Sequence, residues 1–188
     1  ICPGRGEDAG DALVRNSKIS KISFTGSSHV GKLIISNSAD NLTKLSLELG
    51  GKAPNIIFDD ASLSSCIEAN LRGGFFNQGE NCTAVTRLFV HKKIYNRFLK
   101  LYIKNISKIN PESPESKTSQ MGSLISGQHL KKVKRCVSKS LSEGGKLLYQ
   151  GKIKKNLKGY FYPPTLIELS STKNILFKKE VFGPVVAI

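Results

Sequence analysis

The chain has 188 residues, 39% of them hydrophobic, and a formal net charge of +15. That is enough for one ordinary domain or parts of two, and enough apolar content for a core, which excludes a disordered chain. No run of about 18 apolar residues occurs, so no membrane-spanning helix is expected. The basic charge raises nucleic-acid binding as a reading. The lysines are scattered, however, and lack interleaved aromatic residues. The densest group, Lys131-Lys132-Val133-Lys134-Arg135, sits in a helical pattern whose apolar positions Leu130, Val133, Val137 and Leu141 face one way. A solvated face accounts for it better, and no nucleic-acid partner is expected. No signal or transit peptide opens the chain. It starts at Ile1 and ends on the apolar run Val185-Val186-Ala187-Ile188, so both ends read as internal to a longer protein.

In chain order, residues 19–24 read as a short strand. It leads into Thr25-Gly26-Ser27-Ser28 and a helix over 29–38, capped by Ser27 or Ser28. Residues 42–49 follow as a strand in which Leu45, Leu47 and Leu49 alternate with Ser46 and Glu48. Glu48 is thus expected on the face away from the leucines, at the end that Gly50-Gly51 breaks. A strand over 53–58 precedes a helix over 62–76, on whose apolar side Cys66 falls with Leu63 and Ile67. The loop 77–81 comes just before Cys82. A strand at 87–91, a helix over 94–109, a polar loop over 111–119 and a helix over 126–142 follow, the last stopped by Gly144-Gly145. Further strands are expected at 146–150, 160–169 and 184–188. Strands alternating with helices imply an α/β fold with mainly parallel pairing.

Cys2, Cys66, Cys82 and Cys136 are widely spread and form no C-x-x-C, so neither zinc nor a disulfide scaffold is expected; a reducing cytoplasm is the default. His29, His91 and His129 show no metal spacing and read as structural or exposed, with His29 inside the first turn; no metal site is expected. Cys2, Cys66 and Cys136 read as packing residues. Two stretches carry chemistry: Leu47-Glu48-Leu49-Gly50-Gly51-Lys52, and Phe75-Phe76-Asn77-Gln78-Gly79-Glu80-Asn81-Cys82-Thr83-Ala84. They offer a carboxylate at a strand end and a thiol after a glycine-containing loop, the places where α/β folds put reactive groups. A thiolate is a good nucleophile, and a carboxylate in a partly dry site can serve as general base. Taken singly, each also fits a buried small hydrophobe and a surface charge.

Both stretches resemble the two signature motifs of the aldehyde dehydrogenase superfamily, in the family's order and 34 positions apart from Glu48 to Cys82. Phe24-Thr25-Gly26-Ser27 resembles the family's coenzyme turn, Glu180-Val181-Phe182-Gly183-Pro184 its late Glu-x-Phe-Gly-Pro element, and Gly159-Tyr160-Phe161-Tyr162-Pro163-Pro164-Thr165 its strand entering at Pro-Thr. The resemblance implies residues 1–49 as the end of a Rossmann-type coenzyme domain and 50–188 as most of an α/β catalytic domain. It implies Cys82 as nucleophile, forming a thiohemiacetal and then a thioester, with its backbone N–H helping to hold the oxyanion. Glu48 would be the base that activates the hydrolytic water. Gly26, Ser27, Val30, Gly31 and Leu49 would lie against the coenzyme, Glu180 would bond the nicotinamide ribose, and Phe182 would pack near the ring. NAD is the implied coenzyme with NADP the alternative, a small aldehyde the substrate, and a homodimer or homotetramer the assembly. The sequence departs from the family in having Lys179 before Glu180, where an acidic residue is usual. The family's oxyanion-hole asparagine and the groups binding the adenosine ribose belong upstream of this segment, which by itself is expected to be inactive. Intact Glu48 and Cys82 argue against a non-catalytic relative.

Overall fold

The computed structural model describes residues 1–188, which fall into two compact units, Ile1–Gly50 and Gly51–Ile188. In the first unit a π-helical turn, Gly6–Gly10, runs into α1 (Asp11–Val14). Then come β1 (Lys21–Gly26), α2 (Ser28–Asn37) and β2 (Lys44–Leu49). β1 and β2 pair in parallel, with Thr25 opposite Glu48 and Gly26 opposite Leu49. Parallel neighbours need a crossover, and α2 supplies it. β1 runs two residues past its expected end, because Thr25 and Gly26 both find ladder partners at the tip of β2. β2 begins two residues late: Leu42 sits at φ 50° in a turn and cannot extend the strand.

The second unit is a five-stranded sheet of order β3-β4-β7-β6-β5. Its strands are β3 (Pro54–Ile57), β4 (Arg87–Val90), β5 (Lys146–Gln150), β6 (Thr165–Glu168) and β7 (Val185–Ala187). All neighbours are parallel except β5 and β6. The helices are α3 (Leu63–Phe75), α4 (Tyr95–Ile106), α5 (Gly127–Ser142) and a short α6 (Ile175–Lys178), with a 3₁₀ turn, Phe76–Gly79, after α3. The α/β class and the mainly parallel pairing expected from the sequence are therefore present.

Alternation along the central strands sends side chains to two cores. Leu166 and Val186 join Ile57, Ile67, Phe75, Phe98, Tyr102 and Ile106 beneath α3 and α4. Ile167, Val185 and Ala187 join Val133, Val137 and Leu176 beneath α5 and α6. Strands buried on both faces read as near-continuous apolar runs, as Val185-Val186-Ala187 does. In the first core the Phe98 and Tyr102 rings stack 5.4 Å apart. α5 starts where the Ser126 hydroxyl accepts the His129 N–H at 3.1 Å. Lys131, Lys132, Lys134 and Arg135 stay exposed while Val133 and Val137 are buried, as a solvated basic face requires. Leu141 departs from the expected apolar stripe and is exposed; Ser140 is the buried residue of that turn. The expected strand over 160–169 is only four residues long, since Pro163 and Pro164 have no N–H to give to a ladder. Cys66 and Cys136 pack against the two cores as expected, whereas Cys2 is exposed, ahead of the first helical turn. No helix is long and apolar enough to cross a membrane.

Candidate active site

In the first unit the residues expected to meet a coenzyme gather near the C-terminal ends of two parallel strands, where open α/β sheets place ligands. β1 ends at Gly26, Ser27 caps α2 by accepting the Val30 N–H at 3.2 Å, and Ser27, Ser28, His29 and Val30 are all exposed. No acidic residue occupies the first turn of α2, so nothing there opposes an anion at the helix N-terminus. Gly31 lies against Leu49: a Cβ added at Gly31 would come within 2.7 Å of the Leu49 side chain. Glycine thus lets the helix seat directly on β2. The same strand turns Leu45, Leu47 and Leu49 inward and leaves Glu48 exposed beside the Gly26 turn, the orientation expected from its period-2 pattern.

In the second unit Cys82 is exposed, in the turn between the 3₁₀ segment and β4. The approach to it is unusual backbone. Asn77, Gln78 and Gly79 all adopt positive φ, at 51°, 47° and 71°. Local bonds fix them: the Glu80 N–H donates to the Asn77 carbonyl at 2.9 Å, and Asn77 Nδ2 donates to the Glu80 carbonyl at 2.9 Å. Gly79 is required twice, by its φ and because a Cβ there would collide with the carbonyl of Gly183 and reach 3.0 Å from Pro184 N. The late Glu-x-Phe-Gly-Pro stretch is thereby brought against the cysteine loop. Beyond Cys82, Asn81 closes the turn: its carbonyl accepts the Ala84 N–H at 3.0 Å, and its Oδ1 accepts the Thr83 N–H and hydroxyl, each at 3.1 Å. None of these bonds uses the Cys82 N–H.

Glu180 accepts the Gly51 N–H through Oε1 at 3.3 Å. Lys52, next along the chain, has its ammonium pushed down to about 8 by burial and then by the Arg87 guanidinium, against an opposing pull from Glu180. Arg87 in turn donates to the Lys52 carbonyl. Phe182 is held at φ 59°, and its carbonyl receives Nε2 of His129 at 2.5 Å. Lys52 and Glu80 lie within the two motif stretches without an assigned role, Arg87 reads only as the start of a strand, and His129 only as structural or exposed. For Lys52 the only available signal was its place directly after Gly50-Gly51.

A profile of the aldehyde dehydrogenase family matches residues 1–188. The chain is 40% identical to 2-aminomuconic semialdehyde dehydrogenase of Bos taurus over 98% of its own length and 39% of that relative. It is 38% identical to aminoaldehyde dehydrogenase 1, peroxisomal, of Pisum sativum, over 100% of this chain and 38% of that one. Among solved structures it resembles betaine aldehyde dehydrogenase of Staphylococcus aureus in complex with NAD+, with a TM-score of 0.94 and 35% identity, covering 98% of this chain and 37% of the other. The chain spans about two fifths of the length of the curated relatives it matches. With a match along its whole length, the chain belongs to the aldehyde dehydrogenase family.

Proposed function

We propose that the full-length protein carrying this segment oxidises a small aldehyde, of the amino- or semialdehyde kind, to its carboxylic acid. The observation that carries the reading is the placement of Cys82: an exposed thiol on a turn whose backbone is fixed on both sides. Cys82 gives its thiol proton to water, its thiolate sulfur attacks the carbonyl carbon, and the C=O pair moves to oxygen, giving a thiohemiacetal oxyanion. The Cys82 N–H is the donor available to that oxygen. The chemistry a nicotinamide coenzyme supplies when bound is that of a hydride acceptor. Cys82 then holds the oxidised carbon as a thioester. Glu48 takes a proton from water, the water oxygen attacks the thioester, and the C–S bond breaks, the leaving thiolate taking up the proton held by Glu48 to return the thiol.

The residues present fit such a coenzyme. The α2 N-terminus is exposed and free of acidic residues, suited to a pyrophosphate. Gly26, Ser27, Val30, Gly31 and Leu49 would line that end, and Glu180 and Phe182 would meet the nicotinamide half. NAD is the proposed coenzyme, consistent with the NAD+ bound by the betaine aldehyde dehydrogenase relative, with NADP the alternative. Residues 1–49 are assigned to the coenzyme domain and 50–188 to the catalytic domain. The assembly proposed from family membership is a homodimer or homotetramer. Four separated, unpaired cysteines fit a reducing cytoplasm. The 188-residue segment alone is proposed to be inactive.

The test is turnover by the full-length protein with a panel of aldehydes and either coenzyme, followed by absorbance of the reduced nicotinamide. Wild type should turn over, and Cys82→Ala should lose at least about 10³-fold. Glu48→Gln should give a first burst and then a steady rate lower by about 10²-fold or more. Turnover that survives loss of Cys82 would refute the nucleophile assignment. A silent wild type across the panel would refute the activity.

A further inference from the structure

Three segments far apart in the chain meet at one histidine. His129, in the first turn of α5, places Nε2 2.5 Å from the carbonyl oxygen of Phe182 and 3.5 Å from Oε1 of Glu80. A carbonyl only accepts, so Nε2 carries the hydrogen and donates it to Phe182. The same Glu80 Oε1 accepts the Ile125 N–H at 3.1 Å, and Oε2 accepts from Gln78 Nε2 at 3.2 Å. Both side chains are nearly closed off from solvent, 9% exposed for Glu80 and 13% for His129.

What this pair holds is the strained backbone of the site. Asn77, Gln78 and Phe182 are three of the four non-glycine residues with positive φ. Such residues cost about 1–3 kcal/mol each and persist only where surroundings over-determine them. Glu80 grips Gln78 and the entry to α5; His129 grips Phe182. The Gly79–Gly183 approach closes the space between the two strands of chain. Glu80 stands two residues before Cys82, and Phe182 two after Glu180.

We propose that Glu80 and His129 are positioning residues that fix the Cys82 loop against the Phe182 segment, setting the geometry of the acyl-forming step rather than the affinity for substrate. The inference rests on the dehydrogenase reading above for its kinetic consequence, and on the hydrogen bonds alone for its structural one.

The test uses the full-length protein as wild type, His129→Leu and His129→Gln, the last keeping an N–H donor near the Nε2 position. His129→Leu should slow the first-turnover burst of reduced nicotinamide by about 10–100-fold, the range expected of a misplaced reactive group. KM for aldehyde should stay within about twofold, and His129→Gln should recover most of the burst rate. In parallel, hydrogen–deuterium exchange should speed up in both residues 76–84 and 180–184 of His129→Leu, but not in His129→Gln. If the burst of His129→Leu matches wild type, or if its KM rises while the burst is unchanged, the positioning role is refuted. Exchange unchanged in either segment overturns it as well, as does a Gln variant as impaired as Leu. If no protein shows a burst but both segments loosen in His129→Leu, the clamp stands and the dehydrogenase reading falls.

Discussion

The two units use the same β-α-β grammar to different depth. In Ile1–Gly50 the sheet is a single parallel pair, and Val14 and Ile34 are its only buried apolar side chains; Leu13, Val30, Leu33, Ile35 and Leu42 remain exposed. In Gly51–Ile188 the central strands β6 and β7 are covered on both faces, and two separate clusters of buried side chains result. Two strands and one full helix bury little apolar surface to set against the chain entropy of 50 residues, whereas the larger unit has the layers a domain needs. The first unit exposes Glu48 at a strand end and leaves its helix start open. The second builds a tightly constrained thiol loop. Unfavourable backbone thus persists where the core is deep enough to hold it.

The largest expected effect sharpens that contrast. Phe98→Ala, at a fully buried ring stacked on Tyr102, should destabilise the second unit by about 3–5 kcal/mol. Ile34→Ala should leave that unit's amide exchange unchanged while loosening β1 and β2. If Ile34→Ala instead accelerates exchange in β4, β6 and β7, the two units unfold together and the contrast is void. Next comes Asn174, buried, whose Oδ1 accepts from the Ser140 hydroxyl at 2.9 Å and the Leu176 N–H at 3.0 Å and whose Nδ2 donates to the Ser140 carbonyl at 2.9 Å. Asn174→Ala should cost about 1–3 kcal/mol in denaturant melts, from partners left unpaired. Ser126→Ala, which removes the cap of α5, should cost about 1 kcal/mol. The smallest effect concerns acid. Hydrogen bonds from Lys154, then from the Ser116 and Thr118 hydroxyls, hold the Glu112 carboxyl at about 2 instead of its ordinary 4.5. A depressed carboxylate stabilises the fold above its unfolded value and loses that contribution as pH falls through the folded one. The midpoint difference between wild type and Glu112→Gln should therefore be constant above pH 4.5 and shrink between about pH 4.5 and 2. A difference that grows on acidification would contradict the assignment.

Much of this was legible in the sequence for identifiable reasons. Leu45, Leu47 and Leu49 alternate strictly, so β2 and the outward Glu48 could be read directly. Ser27 or Ser28 marks the start of α2 in the sequence, and the structure selects Ser27; Ser126 reads as the first residue of its helix and is instead the cap. The turn-like Gly6–Gly10 and four-residue α1 lack any apolar period and went unseen. So did α6, four residues long, whose start is set by the buried Asn174 side chain rather than by a pattern. Cys82 and Glu48 stood out through their motifs. The left-handed Asn77 and Gln78 did not, since neither is glycine and their conformation is imposed by partners. The Glu80–His129–Phe182 contact joins residues 49 and 53 positions apart, and only the folded sheet brings them together.

The proposed function stands or falls on Cys82 carrying the substrate as a thioester that Glu48 releases. The most direct measurement is mass spectrometry of full-length Glu48→Gln after one exposure to aldehyde and coenzyme. An acyl group is expected on the peptide containing Cys82, accumulating because its hydrolysis is slowed. An acyl group on Cys2, Cys66 or Cys136 instead, or none on any cysteine while reduced nicotinamide forms, would contradict it.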